Sequence, residues 1–181
     1  FGHVHLADQA LPIDATITGF SPFIPGDADA SGFPAGALEY SFKNTGDRPR
    51  QAVFSFHSRN FMGKGPIGKF PGGFVLHAGS ARQKSFAFHA PGEAEKVDHC
   101  WFKGGWWDPM TITWNNIRSG RTISNPPDRG APGASLYIPF ELAPGQEKTI
   151  RLLATWYVPT EAKAGLAFGK RPSTGTAPHQ Q

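Results

Sequence analysis

Apolar and polar residues alternate one for one along most of this chain, a period that an extended strand with one covered face satisfies and a helix does not. The clearest case runs from Lys148 to Val158, where Ile150, Leu152, Ala154 and Trp156 are expected to face a core. Ile13 to Phe20 sets Ile13, Ala15 and Ile17 against Asp14, Thr16 and Thr18, and Ala37 to Lys43 sets Leu38, Tyr40 and Phe42 against Glu39, Ser41 and Lys43. Weaker strands are expected at Gly73 to His77, at Arg82 to His89 with Phe86 and Phe88 on one face, at Met110 to Asn115 with Met110, Ile112 and Trp114 together, and at Ser135 to Leu142. No amphipathic stretch of helical length interrupts them.

Breakers show how such strands would connect. The chain carries 22 glycines and 17 prolines, about a fifth of its 181 residues, a load that stops helices and suits short strands joined by turns. Residues 77–80 read as a turn, and Asn44 to Pro49 reads as the turn of a β-hairpin that resumes at Ala52, Phe54 and Phe56. A second hairpin is expected at Ala143 to Gln146, just before the longest strand. Eight or so short strands without helical crossovers describe an all-β fold, an antiparallel β-sandwich; the pattern alone leaves a closed barrel as the alternative. The length fits one domain with a real core, over residues 1–159. Residues 160–181 lose the alternation and are expected to form a linker or frayed tail. Because patterned sequence begins almost at once after Phe1, the chain is expected to be a piece of something longer.

Several function classes lose their footing here. Cys100 is the single cysteine, so no internal disulfide forms, and no paired cysteine spacing of a zinc site occurs. One cysteine is compatible with the cytoplasm but assigns no compartment. No apolar run approaches the roughly 20 residues that span a bilayer, and no basic segment leads into an apolar one near Phe1. The net charge of +4 invites nucleic acid as a partner, yet Lys43, Arg48, Arg50, Arg59, Lys64 and Lys69 are scattered, whereas phosphate backbones are tracked by a clustered stripe. Nucleic acid is therefore not an expected partner.

The candidate chemistry is thin outside one loop. Gly26 to Gly32 resembles the opening of a calcium loop, but its closing carboxylate would fall at Leu38, with Glu39 one place late, so it reads as a strand-joining loop. His99 and Cys100 are neighbours and would point to opposite faces of a strand. His3 and His5 could share a face, but two ligands are too few. No metal site, no cofactor and no catalytic residue is implied. The loop from His99 to Pro109 is different, because Trp101, Trp106 and Trp107 surround Gly104 and Gly105 beside Asp108. Flat aromatic faces stack on the C–H faces of a pyranose and a carboxylate holds its hydroxyls, so Trp101, Trp106, Trp107 and Asp108 are the candidate substrate-binding residues. The competing and favoured reading of the same tryptophans is packing, against the core or a neighbouring domain. Apolar positions on otherwise wet strand faces, Val53, Leu153 and Tyr157, point to such a second covered face, or to strands buried on both sides.

The run Phe20-Ser-Pro-Phe-Ile-Pro-Gly-Asp27, followed by Pro34-Ala-Gly-Ala-Leu-Glu-Tyr-Ser-Phe-Lys-Asn-Thr-Gly-Asp47, resembles the N-terminal domain of glycoside hydrolase family 116, which includes non-lysosomal glucosylceramidases and bacterial β-glucosidases. Trp101-Phe-Lys-Gly-Gly-Trp-Trp-Asp108, Trp114-Asn-Asn116, Asn125-Pro-Pro127, Pro132 to Phe140, Leu142-Ala-Pro-Gly145 and Thr155-Trp-Tyr-Val-Pro159 extend the likeness over most of residues 1–159. The resemblance implies a β-sandwich preceding an (α/α)6 catalytic domain that holds both catalytic carboxylates, so no residue here inherits a catalytic role. It also implies further strands before Phe1, and hence a sandwich truncated at its N-terminal edge, an open edge of the kind that invites aggregation. The partner it implies is the C-terminal (α/α)6 catalytic domain of the same polypeptide, with a β-glucoside or glucosylceramide at the interface and no membrane span in this chain. A free-standing carbohydrate-binding module and a small enzyme in its own right are the alternatives.

Overall fold

The alternation becomes ten strands and two short helices in the computed structural model, which describes residues 2–79, 84–94 and 96–159. In chain order they are β1 (Gly2–Asp8), β2 (Leu11–Phe20), α1 (Ala28–Ser31), β3 (Ala35–Asn44), β4 (Arg50–Arg59), β5 (Ile67–Phe70), β6 (Gly73–His77), β7 (Ser85–His89), β8 (Lys96–Asp98), α2 (Pro109–Arg118), β9 (Gly133–Leu142) and β10 (Glu147–Tyr157). The expected linker at 160–181 and the start of the strand expected from Arg82 lie outside the described residues.

The strands form two antiparallel sheets, one of seven in the order β1-β2-β3-β10-β7-β6-β5 and one of three in the order β4-β9-β8. The architecture is thus the expected all-β sandwich. Its core lies where the inward faces meet: Ile150 and Leu152 of β10 with Phe74 and Leu76 of β6 on one side, Phe54 of β4 with Leu136 and Ile138 of β9 on the other. Aromatic rings interlock across the gap, Tyr40 against Phe54 at 4.8 Å and Phe56 against Phe88 at 4.7 Å between centroids. Each such side chain taken fully out of water contributes about 1.5–3 kcal/mol. Trp156, the last of the inward row on β10, reaches the rim instead and stacks on Phe86. Of the apolar positions on wet faces, Val53 and Tyr157 are exposed and Leu153 is half-buried.

Both expected hairpins are corrected. β3 and β4 do not pair, and neither do β9 and β10, because each turn carries the chain from one sheet to the other. The reason is that β3 already has β2 on one edge and β10 on the other, so β4 finds its partner in β9 across a ten-residue register from Arg50↔Leu142 to Arg59↔Gly133. Asn44 staples the two arches. Its fully buried side chain donates to the carbonyls of Arg48 (2.8 Å) and Leu142 (3.0 Å) and accepts from the Gly46 N–H, while its backbone exchanges hydrogen bonds with Gln146 and Gly145. Gly145 takes φ +74°, a conformation that a side chain would strain. β6 and β7 do pair as an antiparallel hairpin, while the turn expected at 77–80 runs into residues 80–83, outside the described part.

β1, which the alternation did not single out, pairs with β2 and forms the edge of the larger sheet with all its residues exposed. Seven strands facing three leave part of the large sheet uncovered by the small one, with Val4, Leu6 and Leu11 open to solvent. On the far side of the small sheet, the segment 99–132 between β8 and β9 carries the tryptophan loop and α2.

Candidate functional site

Residues 99–132 begin on a buried footing. Asp98, at the end of β8, accepts a hydrogen bond from the Cys100 N–H at 3.0 Å, and burial raises its carboxyl above the usual carboxylate range against the pull of that bond and of Asn125. His99 donates its backbone N–H to the Asn125 carbonyl, and the Asn125 amide donates to the Cys100 carbonyl, so the outgoing and returning limbs are joined at the root.

Trp101 is the pillar of this root. It is 5% exposed, its backbone N–H donates to the Gly133 carbonyl and its indole N–H donates to Ser135 Oγ at 2.7 Å. The indole lies so close over β9 that a Cβ on Gly133 would come within 2.5 Å of the ring, which is why a glycine opens that strand. Ser135 also bonds His57 Nδ1 at 2.7 Å, and His57 Nε2 bonds Ser55 Oγ at 2.8 Å, with the imidazole edge-on to Tyr137. Burial pushes His57 down to about 4, so the ring is neutral at pH 7 and can donate from one nitrogen and accept at the other. The pair looks like a serine and its base, but Ser135 is wholly buried and serves as the joint between Trp101 and His57.

The crown of the segment is built to stay outside. Phe102 folds over the backbone of Gly104, where a Cβ would collide with its ring at 2.0 Å. Lys103 forms an ion pair with Asp128 and donates to the Arg129 carbonyl, which ties crown to return limb. Trp106 is 95% exposed and Trp107 65%. Asp108 then caps α2: its carboxylate accepts from the Thr111 N–H at 3.1 Å and from the Thr111 hydroxyl, and Pro109 takes the first helical position, where its missing N–H costs nothing.

Residues 110–115 are therefore helical, a correction to the strand expected there. In a strand Met110, Ile112 and Trp114 would share one face, whereas α2 turns Ile112, Thr113, Asn116 and Ile117 towards the protein and leaves Met110 and Trp114, one turn apart, outside. Trp114 is 59% exposed. The signal that identifies this helix is the Asp108-Pro109 pair, a cap followed by a proline, with Gly120 at φ +67° just past the end.

The four candidate residues thus divide. Trp106 and Trp107 present bare aromatic faces, and Phe102, Met110 and Trp114 of the same segment are exposed as well. Trp101 and Asp108 face inward duties, with the indole committed to Ser135 and the carboxylate to the helix N-terminus. Elsewhere, Asp27 of the calcium-like loop caps α1 by accepting from the Ala30 N–H, and His5 lies 4.0 Å from Asp14 on the exposed edge hairpin. Among the described residues no three His, Cys, Asp or Glu side chains gather as a metal would need.

Residues 1–167 match the family model described as beta-glucosidase 2, glycosyl-hydrolase family 116 N-term. Among solved structures, a putative kojibiose phosphorylase from human microbiome superposes with a TM-score of 0.46 at 10% identity, over 80% of this chain and 16% of that one. The chain thus spans well under two thirds of that protein's length. No curated protein matches.

Proposed function

Because the chain belongs to the N-terminal domain family of glycoside hydrolase family 116, we propose that it is the non-catalytic sandwich of a retaining β-glucosidase or glucosylceramidase and packs against a C-terminal (α/α)6 catalytic domain. In this reading residues 1–159 are the sandwich domain and residues 160–181 a linker. The Trp106 and Trp107 faces line the rim of the active-site cleft, where a β-glucoside or glucosylceramide sits, while Trp101 and Asp108 hold the loop in position.

The observation that carries this reading is the exposed aromatic crown: Phe102, Trp106, Trp107, Met110 and Trp114 face solvent on a segment whose root is rigidly anchored. Large aromatics that a fold leaves uncovered while anchoring their backbone mark a surface meant for a partner or ligand. The intact mass of the native polypeptide tests the domain assignment. A product much larger than 19.6 kDa that contains these residues supports it, and a native product near 19.6 kDa overturns it. In the full polypeptide, Trp106→Ala should lower kcat/KM for an aryl β-glucoside; unchanged turnover removes the loop from the cleft.

The near-complete exposure of Trp106 also favours a second reading, a free-standing carbohydrate-binding module. Titration of the chain with gluco-oligosaccharides and with glucosylceramide then gives saturable heat, and a flat trace argues against it.

A further inference from the structure

On the side of the sandwich next to the crown's return limb, a cleft of about 840 Å³ opens between the β5–β6 hairpin and residues 127–130. Lys64, Lys69 and Arg129 line it, and His77 contributes an imidazole. None of the three cations has a carboxylate partner among the described residues. The one carboxylate in the wall, Asp128, is already engaged, since it pairs with the Lys103 ammonium and accepts the Arg129 N–H at 2.7 Å. Three uncompensated positive charges around one concavity repel each other and focus a positive potential into it, and an anion relieves both effects. Gly68 adds no side chain to the wall, where a Cβ would meet Val75 Cγ1 at 2.9 Å and His77 Nε2 at 3.4 Å. Two ammonium groups and a planar guanidinium supply more donors than one carboxylate can accept, and they match the several oxygens of a phosphate.

We propose that this cleft binds a phosphate group, either free phosphate or the phosphate of a phosphorylated sugar. The assignment is independent of the tryptophan crown and of the domain's proposed partner.

Chemical-shift titration of the whole chain at low ionic strength tests it, with inorganic phosphate and glucose 6-phosphate as separate probes. Saturable shifts at residues 64–69 and 127–130 are expected, tighter for the sugar phosphate if the rest of the cleft is used and equal for both if phosphate alone is read. The double variant Lys64→Met/Lys69→Met should weaken binding at least about fivefold, and Arg129→Met by a similar factor. Lys43→Met, a charge change outside the cleft, should leave it unaltered. Asp128→Asn, which removes the only negative charge in the wall, should tighten binding about twofold or more, a direction that misfolding does not produce. Shifts that do not saturate, or an equal loss in Lys43→Met, would overturn the proposal, as would binding that Asp128→Asn leaves unchanged or weaker.

Discussion

Trp101 and Trp106 stand on the same loop, yet one is 5% exposed and the other 95%. The difference lies in what the neighbouring backbone offers. At the root, Gly133 clears space for an indole, Ser135 accepts its N–H, and His57 locks the serine in turn. At the crown, the Phe102 ring lies over Gly104 rather than in a cavity, and the Asp108 cap starts a helix that carries Met110 and Trp114 outward. An aromatic residue becomes core or contact surface according to whether a cavity and a polar partner await it, which residue type alone does not say.

The comparison breaks most clearly under substitution at the root. Trp101→Ala should destabilise the chain by about 4 kcal/mol, through the lost burial, the cavity and the stranded Ser135 hydroxyl. Denaturant unfolding followed by the remaining tryptophans measures it; a change below about 1 kcal/mol would place Trp101 with the crown rather than the core. Asn44→Ala tests whether rigidity is concentrated at the opposite pole, where the arches meet. It removes three side-chain hydrogen bonds from a fully buried position and should cost about 3 kcal/mol by the same assay.

His57 adds a pH dependence to the root. Its folded value of about 4 lies below the 6.5 of the unfolded chain, so between the two the unfolded state takes up a proton that the folded state refuses. The stabilisation is complete above about pH 6.5 and is lost as pH falls towards 4, about 2 kcal/mol once partial solvent access is discounted. Asp98, whose carboxyl burial pushes up, gains on acidification and offsets part of this loss. Midpoints recorded at pH 7 and pH 4.5 for the parent chain and for His57→Asn isolate the histidine's share. A drop of the same size in both would assign the acid sensitivity elsewhere.

Smaller effects sharpen the boundary between root and crown. Asp108→Ala should cost about 1 kcal/mol, the value of a helix cap, and should broaden the amide signals of Thr111 and its neighbours. Trp106→Ala should change stability by less than about 0.5 kcal/mol, as an exposed side chain without partners would. A larger loss would mean that the indole packs in solution against something within this chain.

Much of the fold was legible. β2, β3, β6, β9 and β10 lie within a few residues of where alternation puts them. In β10 burial follows the pattern directly, with Ile150 and Leu152 buried beside exposed Thr149 and Arg151, whereas β9 is buried on both faces from Gly133 to Ile138. α2 was not legible by period, since Met110, Ile112 and Trp114 fit a strand as readily as three positions of a short helix. The Asp108-Pro109 cap was the better guide. In the loop, the tryptophans drew notice by their number, but nothing in the spacing separates Trp101 from Trp106.

By itself, then, the sequence determined the most strongly patterned strands and membership of the family, since these follow from local periodicity and ordered motifs. The tertiary structure decided partnership. Asn44 to Pro49 and Ala143 to Gln146 have the composition of hairpin turns, and they became arches because β3 had already filled both of its edges with β2 and β10. Which strand occupies an edge, and which indole finds a cavity, depends on residues about a hundred positions away or more, such as Asn44 and Leu142, whose meeting no local pattern encodes.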